Sequence, residues 1–204
     1  MPATRTDRRT REQLLEAAAK VFAEKGFQAA SVDEIARRAG FSKGAVYWHF
    51  ESKDDLFFEL LEERLDGPLR EAVTRFESAP AEVDMAPQAD VVLSWLVEQQ
   101  RDLVLLHAEY CLLAARDPRL RARYTSRQAE LRRAYARAIE ARFEHRGDPP
   151  PKAPEDVATT LIAAMQGLAL EKLVDPEAVP SHLPSELHAV MYAGAVARAR
   201  TGGE

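Results

Sequence analysis

The sequence predicts an all-α protein of about nine helices, with a small N-terminal unit followed by a larger helical body. Apolar residues recur at three- and four-residue spacing through most of the 204-residue chain, which is the period of an amphipathic helix. The N-terminal unit shows none of the alternation typical of strands. With 46% hydrophobic and 30% charged residues, the composition is that of a folded globular protein.

The distribution of charged residues differs on the two sides of residue 53. The net charge is −5, but residues 1–53 hold ten basic and seven acidic side chains, whereas residues 54–204 hold 18 and 26. An acidic chain argues against nucleic acid as a partner, because phosphate binding needs concentrated Lys and Arg. The basic N-terminal unit removes that objection. We therefore predict two domains, residues 1–53 and residues 54–204.

Cysteine content and hydropathy restrict the class of protein. A single cysteine, Cys111, excludes a disulfide framework. No apolar run approaches the roughly 20 residues that cross a bilayer, and the N-terminus is charged before any hydrophobic stretch. We expect a cytoplasmic protein with no membrane partner.

Capping serines and terminating glycines divide the N-terminal unit. They predict a first helix from Thr10 to Gly26, a second from Ser31 to Gly40 and a third from Ser42 to about Phe50. Glu34 completes a capping box with Ser31, and Asp55 forms another with Ser52 that begins a fourth helix. Proline cannot continue a regular helix, so this fourth helix should kink or restart at Gly67-Pro68.

Prolines and polar clusters divide the helical body. They predict a loop over 78–87, two helices within 88–115 that part near Asp102, and a helix from Asp117-Pro118 to about Phe143. A linker over 149–154 precedes two last helices, over 155–174 and 184–200. Residues 116–146 carry ten arginines, which we expect mainly on a solvated face.

The turn between the second and third helices, Ala39-Gly40-Phe41-Ser42, has the sequence form of a helix-turn-helix. In such a unit the second helix enters the DNA major groove. The spacing of Val46 and Phe50 turns both toward the core. Tyr47 and Trp48 then face outward, where two large aromatic side chains indicate a partner.

This segment resembles the DNA-binding domain of the TetR family of bacterial transcriptional repressors. The resemblance covers about a quarter of the chain and departs from the family at Ala30, Ala45 and Val46, where Thr, Thr and Leu are more usual. It rests on Gly26-Phe27, Ser31-Val32-Asp33-Glu34-Ile35-Ala36, Ala39-Gly40-Phe41-Ser42-Lys43-Gly44-Ala45-Val46-Tyr47, His49-Phe50, Ser52-Lys53 and Leu56.

The resemblance and side-chain chemistry together indicate the DNA contacts. Hydroxyls at helix N-termini and lysine ammonium groups suit phosphates or guanine edges, and small residues allow close approach. The expected DNA-binding residues are Ser31, Ser42, Lys43, Gly44, Ala45, Tyr47, Trp48, His49 and Lys53. Arg5, Arg8, Arg9 and Arg11 form either a basic arm along the DNA or a solubilising tail.

The resemblance further implies that the helical body dimerises through its last two helices and encloses a small-molecule pocket. Small residues on the last helix suit close packing between two chains. Polar or aromatic side chains within the apolar helices are the candidate ligand contacts: Trp95, Gln99, His107, Tyr110, Cys111 and Gln166. We expect no cofactor, metal or catalytic residue.

The predicted function is a repressor that binds double-stranded, palindromic operator DNA as a homodimer and leaves it when a small-molecule effector binds. An alternative is a DNA-binding regulator that acts without a ligand, as an activator or architectural protein. A third hypothesis is an enzyme that uses His107, Cys111 and Glu109. The sequence offers little else in favour of the enzyme.

Overall fold

The structure, a computed structural model, describes residues 5–201. This part of the chain is helical and contains no strand, which confirms the predicted all-α class. The described chain forms nine helical segments, one of which is a continuous helix over 53–78 with a π-helical turn in its middle. The elements are α1 (Arg5–Ala29), α2 (Val32–Ala39), α3 (Lys43–His49), α4 (Lys53–Leu61), the π-helical turn (Glu62–Asp66), α5 (Gly67–Ser78), α6 (Pro87–Glu98), α7 (Arg101–Arg116), α8 (Pro118–His145), α9 (Pro154–Val174) and α10 (Leu183–Thr201).

The predicted caps separate α1, α2 and α3. The Ser31 hydroxyl accepts a hydrogen bond from the amide of Glu34, and the Ser42 hydroxyl accepts one from the amide of Ala45, both at 3.2 Å. Gly40 ends α2 in the left-handed conformation, with a φ of 77°. Each cap is satisfied within a few residues, so local sequence determines these ends.

Two local predictions are corrected by contacts with other helices. The Glu34 carboxylate binds Nζ of Lys25 at 2.7 Å rather than returning to its own capping serine. α1 begins about a turn earlier than predicted. Arg11 on it pairs with Glu59 and Glu63 of the continuous helix formed by α4, the π-helical turn and α5, which we call the long helix. Arg11 therefore belongs to no free arm. The side chain of Arg5 and the predicted tail, residues 202–204, lie outside the described residues.

Gly26, the predicted end of the first helix, is where α1 breaks. Its φ of 76° and ψ of 172° are not helical, and glycine adopts such values more readily than other residues. The next two amides, of Phe27 and Gln28, donate to the Glu109 carboxylate of α7 at 2.9 and 3.2 Å. A Cβ on Gly26 would lie 2.8 Å from Oε2 of Glu109. The break therefore requires glycine for its conformation and for the approach of α7.

The predicted interruption at Gly67-Pro68 is a widened turn rather than a break. The amide of Gly67 donates to the carbonyl of Glu62, five residues back, which is the π-helical pattern. A proline in a regular helix clashes with the preceding turn. The wider turn accommodates Pro68, and the helix continues to Ser78.

Aromatic side chains join the two predicted domains. Phe22 and Phe27 of α1 pack against Phe57 of α4, with ring centroids 5.5 and 4.9 Å away. Tyr110 of α7 stacks on Phe57 at 5.0 Å. The hydrophobic core is therefore continuous across the boundary predicted at residue 53.

Six of the ten arginines over 116–146 are exposed, as predicted, but several arginines of α8 also make contacts that the sequence did not predict. Three of them, at four-residue spacing, lie on one side of α8 and meet the helical segment that runs from α4 to the π-helical turn. These pairs, which we call the arginine ladder, are Arg119 with Asp54 at 3.1 Å, Arg123 with Asp55, and Arg127 with Asp66. A fourth, Arg142, is buried and donates to the carbonyls of Ala79 and Pro80, both at 2.7 Å.

α9 corrects the expectation about apolar runs. It is long and apolar enough by composition to cross a membrane, with a mean hydropathy of 1.4, yet only 17% of that stretch is buried within the chain. Its charged residues lie in the first and last turns, which leaves the centre uninterrupted. α9 packs on α8, α6 and α7, so an apolar face of this helix remains uncovered in the single chain.

Replacing Gly26 by alanine should lower the free energy of unfolding by about 2–3 kcal/mol, because a φ of 76° with a ψ of 172° costs a residue with a Cβ about 1–3 kcal/mol and the displaced Glu109 leaves two amides without their acceptor. Gly40→Ala is the control for a positive φ without a nearby contact, since Gly40 has a φ of 77°, a ψ of 24° and open space around a Cβ. Urea denaturation at one protein concentration measures both. Equal losses in the two variants would contradict the role given to the Glu109 contact.

Candidate DNA-binding surface and ligand cavity

The surface of α3 has the two faces that the sequence predicts. Val46 and Phe50 are buried in the core with Ile35 of α2. On the opposite side Tyr47 is 48% exposed and Trp48 is 82% exposed. Such a large exposed aromatic pair on a short, well-packed helix is unusual without a partner.

The small and polar residues at the start of α3 are also accessible. Ser42, Lys43 and Gly44 are exposed, and Ala45 is half-buried. Nζ of Lys43 lies 2.8 Å from Oδ2 of Asp33 in an exposed ion pair. Such pairs contribute little to stability, so a phosphate or a guanine edge could replace the aspartate. The hydroxyl of Ser42 accepts a hydrogen bond from the backbone amide of Ala45. Its own hydrogen remains available to donate to a phosphate oxygen.

Two further predicted contacts flank α3. Ser31, at the start of α2, is exposed. Its hydroxyl likewise accepts a hydrogen bond from a backbone amide, that of Glu34, and can still donate one. His49, in the last turn of α3, is half-buried, with its ring 6.2 Å from the ring of Phe50. Ser31 is therefore accessible and His49 partly so. Their contact with DNA stays a prediction.

The ammonium group of Lys53 is already hydrogen-bonded within the chain. It donates to the carbonyls of Phe27, Gln28 and Ala30 at 2.8, 3.2 and 3.0 Å and lies over the Phe27 ring. Burial lowers the pKa of Lys53. Because an ammonium has three N–H donors, none remains for a phosphate in this arrangement. This corrects the expected role of Lys53, which instead holds the end of α1.

A cavity of about 370 Å³ lies in the helical body among α5, α6, α7, α8 and α9. Ligand pockets commonly measure roughly 300–1,000 Å³. Three of the predicted contacts, His107, Cys111 and Gln166, lie on its wall. Most other wall residues are apolar, as a site for an apolar or amphipathic molecule requires.

The other three predicted ligand contacts lie elsewhere. Trp95 and Gln99 line a separate depression between α5 and α6. Tyr110 is buried in the aromatic cluster, where its hydroxyl donates to Oδ1 of Asp54 at 3.2 Å, and burial raises its pKa. Helical spacing explains the error for Tyr110, because it faces the N-terminal unit while its neighbour Cys111 faces the cavity.

Polar wall residues that the sequence did not single out include Asp66, Gln128, Tyr135 and His188. Gln128 and Tyr135 are hidden among the arginines of α8, and His188 lies in a helix otherwise notable for small residues. The sequence contains one weak indication of this cavity wall, the position of Asp66 directly before Gly67-Pro68. A charged residue beside a predicted helix interruption is common, so this position alone does not indicate a cavity.

The polar end of the cavity contains an uncharged histidine. Nε2 of His107 lies 3.0 Å from Nε2 of Gln128, so the amide donates and the imidazole accepts. Burial, with a smaller contribution from the charge of Arg127, lowers the pKa of His107 to about 4. His107 is therefore neutral at pH 7, with its proton on Nδ1.

The contacts of Glu109 bear on the enzyme hypothesis. Its carboxylate holds the amides of Phe27 and Gln28, on the side of α7 that faces the N-terminal unit. It therefore cannot orient His107 on the cavity side. Among residues 5–201, no three His, Cys, Asp or Glu side chains come together as a metal site.

Two family models match this chain. Residues 14–60 match the model of bacterial regulatory proteins of the tetR family. Residues 88–191 match the C-terminal model of BetI-type transcriptional repressors, which covers about half of the chain. The two matches correspond to the N-terminal unit and to most of the helical body.

Curated relatives match over part of the chain. The transcriptional regulator AcrR of Shigella flexneri is 36% identical over 99 residues, which are 47% of this chain and 46% of AcrR. Alignments with three such relatives cover 34% to 54% of their lengths. The chain thus spans about half the length, or less, of the curated relatives it matches.

Solved structures match over nearly the whole chain. NalD, the secondary repressor of the MexAB-OprM multidrug efflux pump in Pseudomonas aeruginosa, is 29% identical with a TM-score of 0.67, over 93% of this chain and 98% of NalD. The triclosan complex of SmeT from Stenotrophomonas maltophilia is 24% identical with a TM-score of 0.71, over 92% of both chains. The SmeT likeness shows the fold alone.

Proposed function

This chain belongs to the TetR family of bacterial regulatory proteins, and we propose that it is a transcriptional repressor that a small molecule releases from its operator. The observation that carries the proposal is the exposed Tyr47–Trp48 face of α3, on a helix whose other side is fixed in the core. The family consists of transcriptional regulators rather than enzymes, so the enzyme hypothesis has no support. The site of action is the cytoplasm, where the operator lies.

α3 serves as the recognition helix. A helix of this size fits the major groove of B-DNA, and its N-terminal residues reach base edges in helix-turn-helix proteins. Lys43 supplies a cation at that end, while Gly44 and Ala45 permit close approach. The basic excess of residues 1–53 attracts the phosphate backbone. The acidic excess of the helical body turns it away from the duplex.

α9 and α10 form the dimer interface in this proposal. The uncovered side of both helices carries small residues, including Ala163 and Gly167 on α9 and Ala193 and Gly194 on α10. Val190 is 70% exposed on the same helix as the last pair. Two such helices from each chain make a four-helix interface, and the twofold axis implies a palindromic operator. A solution mass of one chain, 22.8 kDa, would contradict this assembly.

Ligand control acts through α7. Its residues His107 and Cys111 lie on the cavity wall, whereas Glu109 and Tyr110, between them in sequence, contact Gln28 and Phe27 of the N-terminal unit. A ligand that moves α7 therefore moves the contacts that orient α1. Release from DNA requires that the ligand bind the DNA-incompetent arrangement more tightly than the competent one.

Lys43→Ala should weaken binding to DNA upstream of the protein's own gene about 5- to 20-fold and reduce the salt slope by about one, because one phosphate-directed cation is lost. Tyr47→Phe removes a hydroxyl without a charge, so it should weaken binding with an unchanged salt slope. Fluorescence anisotropy of labelled duplex at several salt concentrations measures both.

Lys152→Ala is the matched control for these variants, because it removes the same charge from the loop before α9. It should bind DNA as the wild type does. If Lys43→Ala and Tyr47→Phe also bind like the wild type, α3 is not the recognition helix.

Filling the cavity tests ligand control. Ala108 lies on the wall, and Ala108→Phe should leave DNA affinity within twofold while abolishing release by any small molecule that releases the wild type. Ala115→Phe, at an exposed position on the same helix, is the control and should keep its response. Anisotropy of the protein–DNA complex during ligand titration gives the readout.

Release of the Ala108→Phe variant at the wild-type ligand concentration would contradict the assignment of the cavity as the effector site. A wild-type protein that no small molecule releases would favour the alternative, a regulator that acts without a ligand.

A further inference from the structure

The arginine ladder ends in a guanidinium whose two terminal nitrogens have no hydrogen-bond partner among residues 5–201. The Arg127 side chain is 13% exposed, and its Nε lies in ion-pair contact with Oδ2 of Asp66, which is 5% exposed. All three guanidinium nitrogens are buried, so Nη1 and Nη2 lack acceptors. A guanidinium carries five N–H donors, and buried polar groups are nearly always satisfied. This end of the ladder is therefore incomplete.

The incomplete guanidinium lies at the polar end of the cavity. Its ion-pair partner, Asp66, is a wall residue, and so is Gln128, the next residue on α8. His107, a third wall residue, is close enough for the charge of Arg127 to lower its pKa. Arg127 is not itself on the wall, so a ligand reaches it by taking the place of the Asp66 carboxylate.

The unmet requirement is for acceptor oxygens rather than for a cation. Among the described wall residues Asp66 is the one acid, and it is already paired. His107 is neutral and held by Gln128, so it neither repels nor attracts a charged ligand strongly. A carboxylate matches a guanidinium better than other common groups, because its two oxygens accept two parallel N–H bonds.

We propose that the cavity binds an amphipathic carboxylic acid, with its carboxylate on Arg127 in place of Asp66 and its hydrocarbon body along the apolar wall. The body lies among residues of α7, α8 and α9, including Val104, Leu131 and Ile162. This inference rests on the proposed function, in which the same cavity is the effector site.

Charge balance involves one proton. The acid enters protonated, its O–H bond breaks, and the proton passes to the Asp66 carboxylate as that group leaves Arg127. The site then holds one guanidinium, one carboxylate and one neutral acid, so its net charge is unchanged. Burial raises the pKa of Asp66 although Arg127 acts to lower it, so Asp66 is suited to take the proton once the cation is occupied by the ligand.

Three probes with the same eight-carbon chain and different head groups test the class of ligand: octanoate, 1-octanol and octylamine. Isothermal titration calorimetry of the full chain at pH 7 should give at least tenfold tighter binding for octanoate than for the other two. Equal or tighter binding of 1-octanol or octylamine, or no binding of octanoate, would overturn the proposal.

Variants at the two ends of the ion pair should change octanoate binding in opposite directions. Asp66→Asn removes the competing charge and leaves the guanidinium, so it should bind octanoate at least fivefold more tightly. The double variant Asp66→Leu with Arg127→Met removes both charges, which avoids leaving one buried and unpaired. It should bind octanoate at least tenfold more weakly and 1-octanol within twofold of the wild type.

Arg133→Met is the control, because Arg133 is exposed on the same helix and should leave binding of octanoate unchanged. Circular dichroism melting checks that each variant folds. If the double variant does not fold, Arg127→Lys replaces it, since lysine keeps the charge without the fork and should still weaken octanoate binding several-fold. Weaker binding to Asp66→Asn, or unchanged binding to the Arg127 variant, counts against the proposal.

Anisotropy of the protein–DNA complex separates this inference from the function on which it rests. If 1-octanol releases DNA as well as octanoate does, the effector cavity stands and the carboxylate assignment is wrong. If octanoate binds with the predicted dependence on Asp66 and Arg127 but leaves DNA affinity unchanged, the carboxylate site stands and ligand control of DNA binding is wrong.

Discussion

The structure depends on how the break in α1 is held. At Gly26 the backbone leaves the helix, and the exposed amides and carbonyls of the next residues need partners from elsewhere. Glu109 of α7 supplies the acceptor for the amides, and Lys53 of α4 supplies the donor for the carbonyls. Two oppositely charged side chains from the body and the long helix therefore fix one backbone turn. Because α2 and α3 follow that turn directly, their placement relative to the body is fixed with it.

α7 connects the turn that follows Gly26 to the cavity. Residues three or four apart share a helix face, so His107 and Cys111 face the cavity while Leu106 and Tyr110 face the core shared with the N-terminal unit. α7 thus borders the cavity on one side and packs against α1 on the other. Closely packed side chains transmit small displacements rather than absorbing them. A ligand that shifts the cavity side thus acts on the aromatic cluster and on the Glu109 contact together.

Local rules predicted the helix ends and the exposed face of α3, because Ser31, Gly40 and Ser42 are satisfied by residues within a few positions of themselves. The same rules failed for Lys53 and Tyr110, whose partners are 23 to 56 residues away. The arginine ladder was missed for a related reason. An arginine-rich helix has the same composition whether it faces water or a row of aspartates, and only the packing of α8 on the long helix decides between them. Sequence could therefore predict the DNA-facing surface better than the cavity, whose polar end is built by side chains from separate helices.

The ladder also gives the cavity a second connection to the DNA-binding unit. Asp54 and Asp55 follow Lys53 at the start of the long helix, and Asp66 is the last residue of its π-helical turn. The three ion pairs of the ladder therefore connect one continuous helical segment to α8. π-Helical turns frequently occur at functional sites, and this one carries the ion pair that the proposed carboxylate ligand would replace. The other two ion pairs of the ladder would still hold the start of α4. That start carries Lys53, which holds the turn of α1 that positions α2 and α3.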